Sequence, residues 1–126
     1  MHRVELPPVK LNEPIYLIPF GDTHRFSKLC DVDKWFEFLD WAKSKPNCLF
    51  LGMGDYDDLA SYNERGALAS VMSSLHDDTQ MTLDDIYRSR TEQLAQELSF
   101  MKGKLIGLIE GNHFAVLSNG NITTTQ

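Results

Sequence analysis

The chain reads as an α/β fold built on a parallel sheet, and three observations predict it. Three short apolar runs, Ile15–Phe20, Cys48–Met53 and Leu105–Glu110, have the length and composition of strands. Segments with helical spacing lie between them, and each run closes on a glycine followed by a side chain able to bind a metal. Strand, helix, strand is the unit whose crossover leaves its two strands parallel and adjacent. The expectation is a sheet core of at least three parallel strands with crossover helices.

In chain order, the stretch through Pro14 carries Pro7, Pro8 and Pro14 and reads as an extended lead-in. Ile15–Phe20, I-Y-L-I-P-F, is a continuous apolar run of the kind covered on both sheet faces, with Pro19 marking its end or an irregularity. From Asp31 to Lys45, Val32, Trp35, Phe36 and Leu39 recur at i, i+3, i+4 and i+7, one helical face. Asp31 is the expected N-cap, and Pro46 enforces the stop. Phe38 and Trp41 widen the stripe, so these aromatics are expected in the core.

Cys48–Met53 is the second strand, followed by a weaker helical stretch between Leu59 and Asp78 that Gly66 interrupts. A longer helix is expected over Thr82–Lys102, with Leu83, Ile86, Tyr87, Leu94, Leu98 and Met101 on one face. Thr82 with Asp85 forms a capping-box pattern at its start, and Gly103 ends it. Its charges, among them Asp84, Arg88, Glu92 and Glu97, read as a solvated face. Leu105–Glu110 is the third strand, and a polar tail runs from Ser118.

With 126 residues, the chain has the size of a single domain. Apolar residues at 42% and charged residues at 24% match a soluble globular protein. No apolar run suggests a membrane span or the core of a signal peptide, so no membrane partner and a cytoplasmic location are expected. Cys30 and Cys48 are too few for a disulfide framework and read as reduced. A net charge of −6 argues against a broadly basic nucleic-acid surface, although a metal site can hold a phosphate backbone locally. His2, His24, His76 and His113 are the entire supply of imidazoles.

The chemistry gathers at the ends of the strand runs. Phe20 is followed by Gly21-Asp22, Met53 by Gly54-Asp55 and Glu110 by Gly111-Asn112, with His24 and His113 close by. Each glycine is expected to permit a sharp turn. In open α/β sheets ligands bind outside the carboxyl ends of the strands, so Asp22, Asp55 and Asn112 are expected to face one crevice. Carboxylate, imidazole and amide oxygen together suit Mn, Fe or Zn better than Ca or Mg. Any one of these turns alone is ordinary; it is their ordered recurrence at three strand ends that points to a metal site.

Gly21-Asp22-Thr23-His24, Gly54-Asp55-Tyr56-Asp57-Asp58 and Gly111-Asn112-His113 resemble the first three motifs of the calcineurin-like metallophosphoesterases. The resemblance spans residues 15 to 113 and implies about half of that family's α/β-β/α sandwich, with a two-metal site that hydrolyses phosphate esters. Carried over residue by residue, it makes Asp22 and His24 ligands of the first metal, Asp55 the bridging carboxylate and Asn112 a ligand of the second. His113 then contacts the phosphate and protonates the leaving oxygen, and Asp58 orients its ring. Two divalent ions and a phosphoester substrate, nucleic acid among the candidates, are the implied cofactors and partner.

Two further histidine motifs of the family have no counterpart here, and His2 and His76 do not supply them. The expectation is therefore a single domain, 1–126, truncated on its C-terminal side with an incomplete site. An apolar sheet face would stay open unless the missing half or a partner chain covers it. Asp57-Asp58-Leu59 departs from the Asp-Arg-Gly of the phosphoprotein phosphatases, which orders phosphodiesters and nucleic acids ahead of phosphoproteins as substrates. The alternative is a non-catalytic metal-binding or scaffold domain; a retained His113 speaks against it. An unrelated α/β protein with coincidental turns is the third reading, and neither glycine-rich nucleotide loop is present to support it.

Overall fold

The computed structural model describes residues 8–58, 67, 70–71 and 74–113. Among them the order is β1 (Tyr16–Phe20), α1 (Val32–Lys43), β2 (Cys48–Gly52), α2 (Asp77–Glu97), a 3-10 turn (Ser99–Met101) and β3 (Leu105–Leu108). The three strands form one parallel sheet in the order β1-β2-β3. The α/β class and the adjacency of the first two strands are as expected. The stretch read between residues 59 and 78, the polar tail and His2 lie wholly or mostly outside the described residues.

Pro19 does not end β1; it pairs in register with Leu51 inside the strand. β1 is an edge strand, and Tyr16 donates its N–H to Asn47 O, so alternation turns the nitrogen of Pro19 away from β2. Ile18 and Phe20 are buried while Leu17 is 61% exposed, so β1 is covered on one face only. The core lies on that covered face, where Ile18, Phe20, Cys48 and Phe50 meet Trp35, Leu39, Ala42, Leu98 and Met101. Among the described residues nothing comparable covers the other face.

Asp31 caps α1 as expected, its carboxylate accepting from Lys34 N at 3.1 Å. The buried stripe is narrower than the sequence implied: Trp35, Leu39 and Ala42 are buried, whereas Phe36 and Trp41 are each 45% exposed. One sheet face under one helix leaves room for only about a third of its circumference.

α2 begins at Asp77 instead of Thr82, with Asp77 and Asp78 complementing the positive end of the helix. Thr82 sits inside the helix and donates to Asp78 O at 2.8 Å, which removes the expected capping box. The regular helix stops at Glu97 and tightens into the 3-10 turn, so Lys102 lies beyond it. Two of its charges are not solvated: Asp84 is buried, and Glu97 is drawn into the interior. Cys30 and Cys48 are free thiols. No helix among the described residues is long and apolar enough to cross a membrane.

Candidate metal centre

Beyond the strand ends the backbone ladder continues into the turns. Met53 donates to Phe20 O at 2.7 Å, Asp22 to Gly54 O at 2.9 Å, His24 to Asp55 O at 3.0 Å and Arg25 to Tyr56 O at 2.9 Å. Asp58 then donates to Arg25 O at 2.7 Å. Thr23 adds its hydroxyl to Tyr56 O at 2.7 Å. Asp22-Thr23-His24-Arg25 and Asp55-Tyr56-Asp57-Asp58 are therefore zipped together as one unit.

The third turn closes on the second. The His113 backbone N–H donates to Asp55 Oδ1 at 2.8 Å. A Cβ on Gly54 would lie 2.7 Å from Gly111 Cα, and one on Gly111 would fall on the Asp55 carboxylate. Close approach is thus the reason for glycine at position 111. The turn conformation itself rests elsewhere: Gly54 has φ 92°, but Asp22 at 54°, His24 at 43° and Asp55 at 50° also hold left-handed backbone. For non-glycine residues that conformation is strained, by about 1 kcal/mol or more each, and persists only where the surroundings enforce it.

Within this frame one carboxylate oxygen each from Asp22 and Asp55 and a ring nitrogen of His24 lie within 4.8 Å of one another. His24 Nε2 and Asp22 Oδ1 are 2.9 Å apart. That is about the edge of a coordination shell with bonds near 2.1 Å, so the donor set fits a divalent transition-metal ion. A second group, His24, Asp58 and His113, meets the same spacing. The rings of His24 and His113 stand edge to face at 4.5 Å, and His113 Nδ1 is 3.1 Å from Asp58 Oδ1. A carboxylate can only accept there, so the proton of that bond sits on Nδ1. Asn112 is exposed, carried between Gly111 and His113 on the turn that closes over Asp55.

Behind the crevice lies a charged cluster that the sequence did not disclose. Arg25, only 5% exposed, reaches Glu97 Oε1 with Nη2 at 3.2 Å and stands 3.5 Å from Asp57 Oδ1, an ion pair without a hydrogen bond. Glu97 Oε2 also accepts from Trp35 Nε1 at 2.7 Å. Burial pushes the carboxyl of Asp57 up to about 6, with Arg25 opposing the rise. Burial likewise raises the Tyr56 hydroxyl, which donates to Ile109 O at 3.1 Å. One signal could have pointed to Glu97: it stands three residues after Leu94 and four before Met101, on the apolar stripe.

Comparison with known protein families, with curated proteins and with solved structures finds no significant match to this chain.

Proposed function

We propose that this chain carries the binding and proton-donating part of a binuclear metal site that hydrolyses phosphate esters. One observation carries the reading: Asp22, His24 and Asp55 converge within 4.8 Å while His113, held by Asp58, stands edge-on to His24. Asp22 and His24 would hold the first ion, Asp55 both ions and Asn112 the second. When bound, such a pair neutralises the phosphate and activates water. The chain's own residues do the rest. His113 Nε2 donates a proton to the departing oxygen, and Asp58 keeps the imidazole aimed. The N–H of His113 fixes the Asp55 carboxylate, so ligand and proton donor share one anchor.

Phosphodiesters, nucleic acid among them, are the preferred substrate class. Asp57-Asp58-Leu59 lacks the phosphoprotein-phosphatase signature, and Asp57 is turned inward toward Arg25.

The group His24, Asp58 and His113 favours a second reading, a non-catalytic metal-binding domain in which His113 is itself a ligand.

Calorimetric titration with Mn²⁺, paired with hydrolysis of bis-p-nitrophenyl phosphate, tests the proposal. The chain is expected to bind Mn²⁺ and to turn over slowly, since the later histidine motifs of the resembled family are unmatched. Asp55→Asn is expected to abolish both. If the unaltered chain takes up no divalent ion, or Asp55→Asn binds it equally well, the reading is wrong.

A further inference from the structure

The turn bearing Asp22 and His24 is tied to the rest of the molecule through the next residue. Arg25 connects the two metal-bearing turns through its backbone, donating to Tyr56 O and accepting from Asp58 N. Its side chain runs the other way, into the interior, where a guanidinium must be paired to be tolerated. Asp57 offers charge there at 3.5 Å but no hydrogen bond. The carboxylate that does bond Arg25 belongs to Glu97, at the last residue of α2, and its other oxygen takes the indole N–H of Trp35 from α1. Two helices are thereby fastened to one guanidinium at the back of the site.

Both imidazoles of the site connect to the backbone of Arg25. His24 immediately precedes Arg25, and Asp58, the partner of His113 Nδ1, hangs from the Arg25 carbonyl. A shift of Arg25 moves His24 and Asp58 together.

We propose that Glu97 is a positioning residue for the metal centre: by holding Arg25 it sets the placement of His24 and of the Asp58–His113 pair. The inference rests on the metal-site reading above, and it is tested both with and without metal.

In the metal-free chain, Glu97→Gln replaces one acceptor oxygen with an amide nitrogen that faces Arg25 or Trp35. The ¹⁵N resonances of the His24 and His113 rings are expected to shift. Arg25→Lys, which keeps the charge but loses the fork, should shift the same resonances, and the double variant should add little. In Co²⁺ titrations, Glu97→Gln should weaken binding by about 10- to 100-fold and alter the visible d–d bands, as expected on losing a group that orients a ligand.

Leu98→Ala is the control. It removes core packing at the residue next to Glu97 while keeping both oxygens of the carboxylate, so it should lower the melting temperature while leaving the imidazole resonances and the Co²⁺ spectrum as they were. The positioning role is overturned if Glu97→Gln behaves like Leu98→Ala, with Co²⁺ affinity, bands and ring resonances unchanged. An unaltered chain that binds no Co²⁺ yet shows the ring shifts on Glu97→Gln would discard the metal reading and keep the positioning role.

Discussion

The zipped turns have two sides, and they are built on opposite terms. On the crevice side, Asp22 is 86% exposed at its side chain, and His24, Asp58 and His113 are partly exposed. On the inner side, Thr23 and Arg25 alternate with Asp22 and His24, Tyr56 and Asp57 lie between Asp55 and Asp58, and all four are bonded or packed inward. The crevice side therefore keeps lone pairs and ring nitrogens available, while the inner side uses its polar groups to hold the backbone. Substitutions on the first side should change chemistry with little change in stability. Those on the second should change stability first.

The largest expected effect breaks the comparison if it fails. His113→Asn should slow turnover by about 10²- to 10⁴-fold, the range for a lost general acid, and less for a good leaving group such as p-nitrophenolate. Its metal content and melting temperature should hold. If it loses metal as fully as Asp55→Asn, His113 is a ligand, and the second cluster is the functional one.

Asp57 sharpens the inner side through pH. Its folded carboxyl lies near 6, above the ordinary carboxylate value, so its contribution to stability is present below about pH 4 and is lost as pH rises through about 6. At about 1.4 kcal/mol per unit the loss is at most about 3 kcal/mol. In the metal-free chain with chelator present, Asp57→Asn should be the more stable protein at pH 7, and the gain should vanish near pH 4. Urea melts of both proteins across that window check the sign; a variant less stable at pH 7 would show that the Arg25 contact outweighs burial.

Trp35→Phe should cost about 2 kcal/mol by stranding a Glu97 oxygen that now accepts a charge-assisted bond, with no direct change at the crevice. Denaturant midpoints would show it. Smallest of all, Lys34→Ala removes an exposed pair with Glu37 and should change stability by no more than about 0.5 kcal/mol and activity not at all.

What could be read from the residues divides along the same line. The strands, their parallel order and the Asp31 cap follow from period and punctuation, which are local properties. So does the gathering of the Asp22 and Asp55 turns, because strand ends in a parallel sheet must meet. The start of α2 departs from the expectation because Thr82-Leu83-Asp84-Asp85 is a good cap pattern on its own, and the competing start at Asp77 has no side-chain cap to announce it. The exposure of Leu17 and Trp41 depends on what lies across from them, which no local pattern encodes. Glu97 reads as solvent-facing because glutamate on a helix usually belongs there; its bond to an arginine 72 positions away is a tertiary fact. Position 111 is glycine for lack of space, while the strained dihedrals fall on Asp22, His24 and Asp55.

That strain bears on how an ion would be taken up. Asp22, His24 and Asp55 stand in left-handed backbone, and the hydrogen bonds between the turns hold them there. Loading then requires no folding of the chain around the guest. Uptake should be governed by how fast the cation sheds its hydration water, its heat-capacity change should be small, and the loaded and empty backbones should superimpose. A site of this kind acts as a socket and not as a clasp.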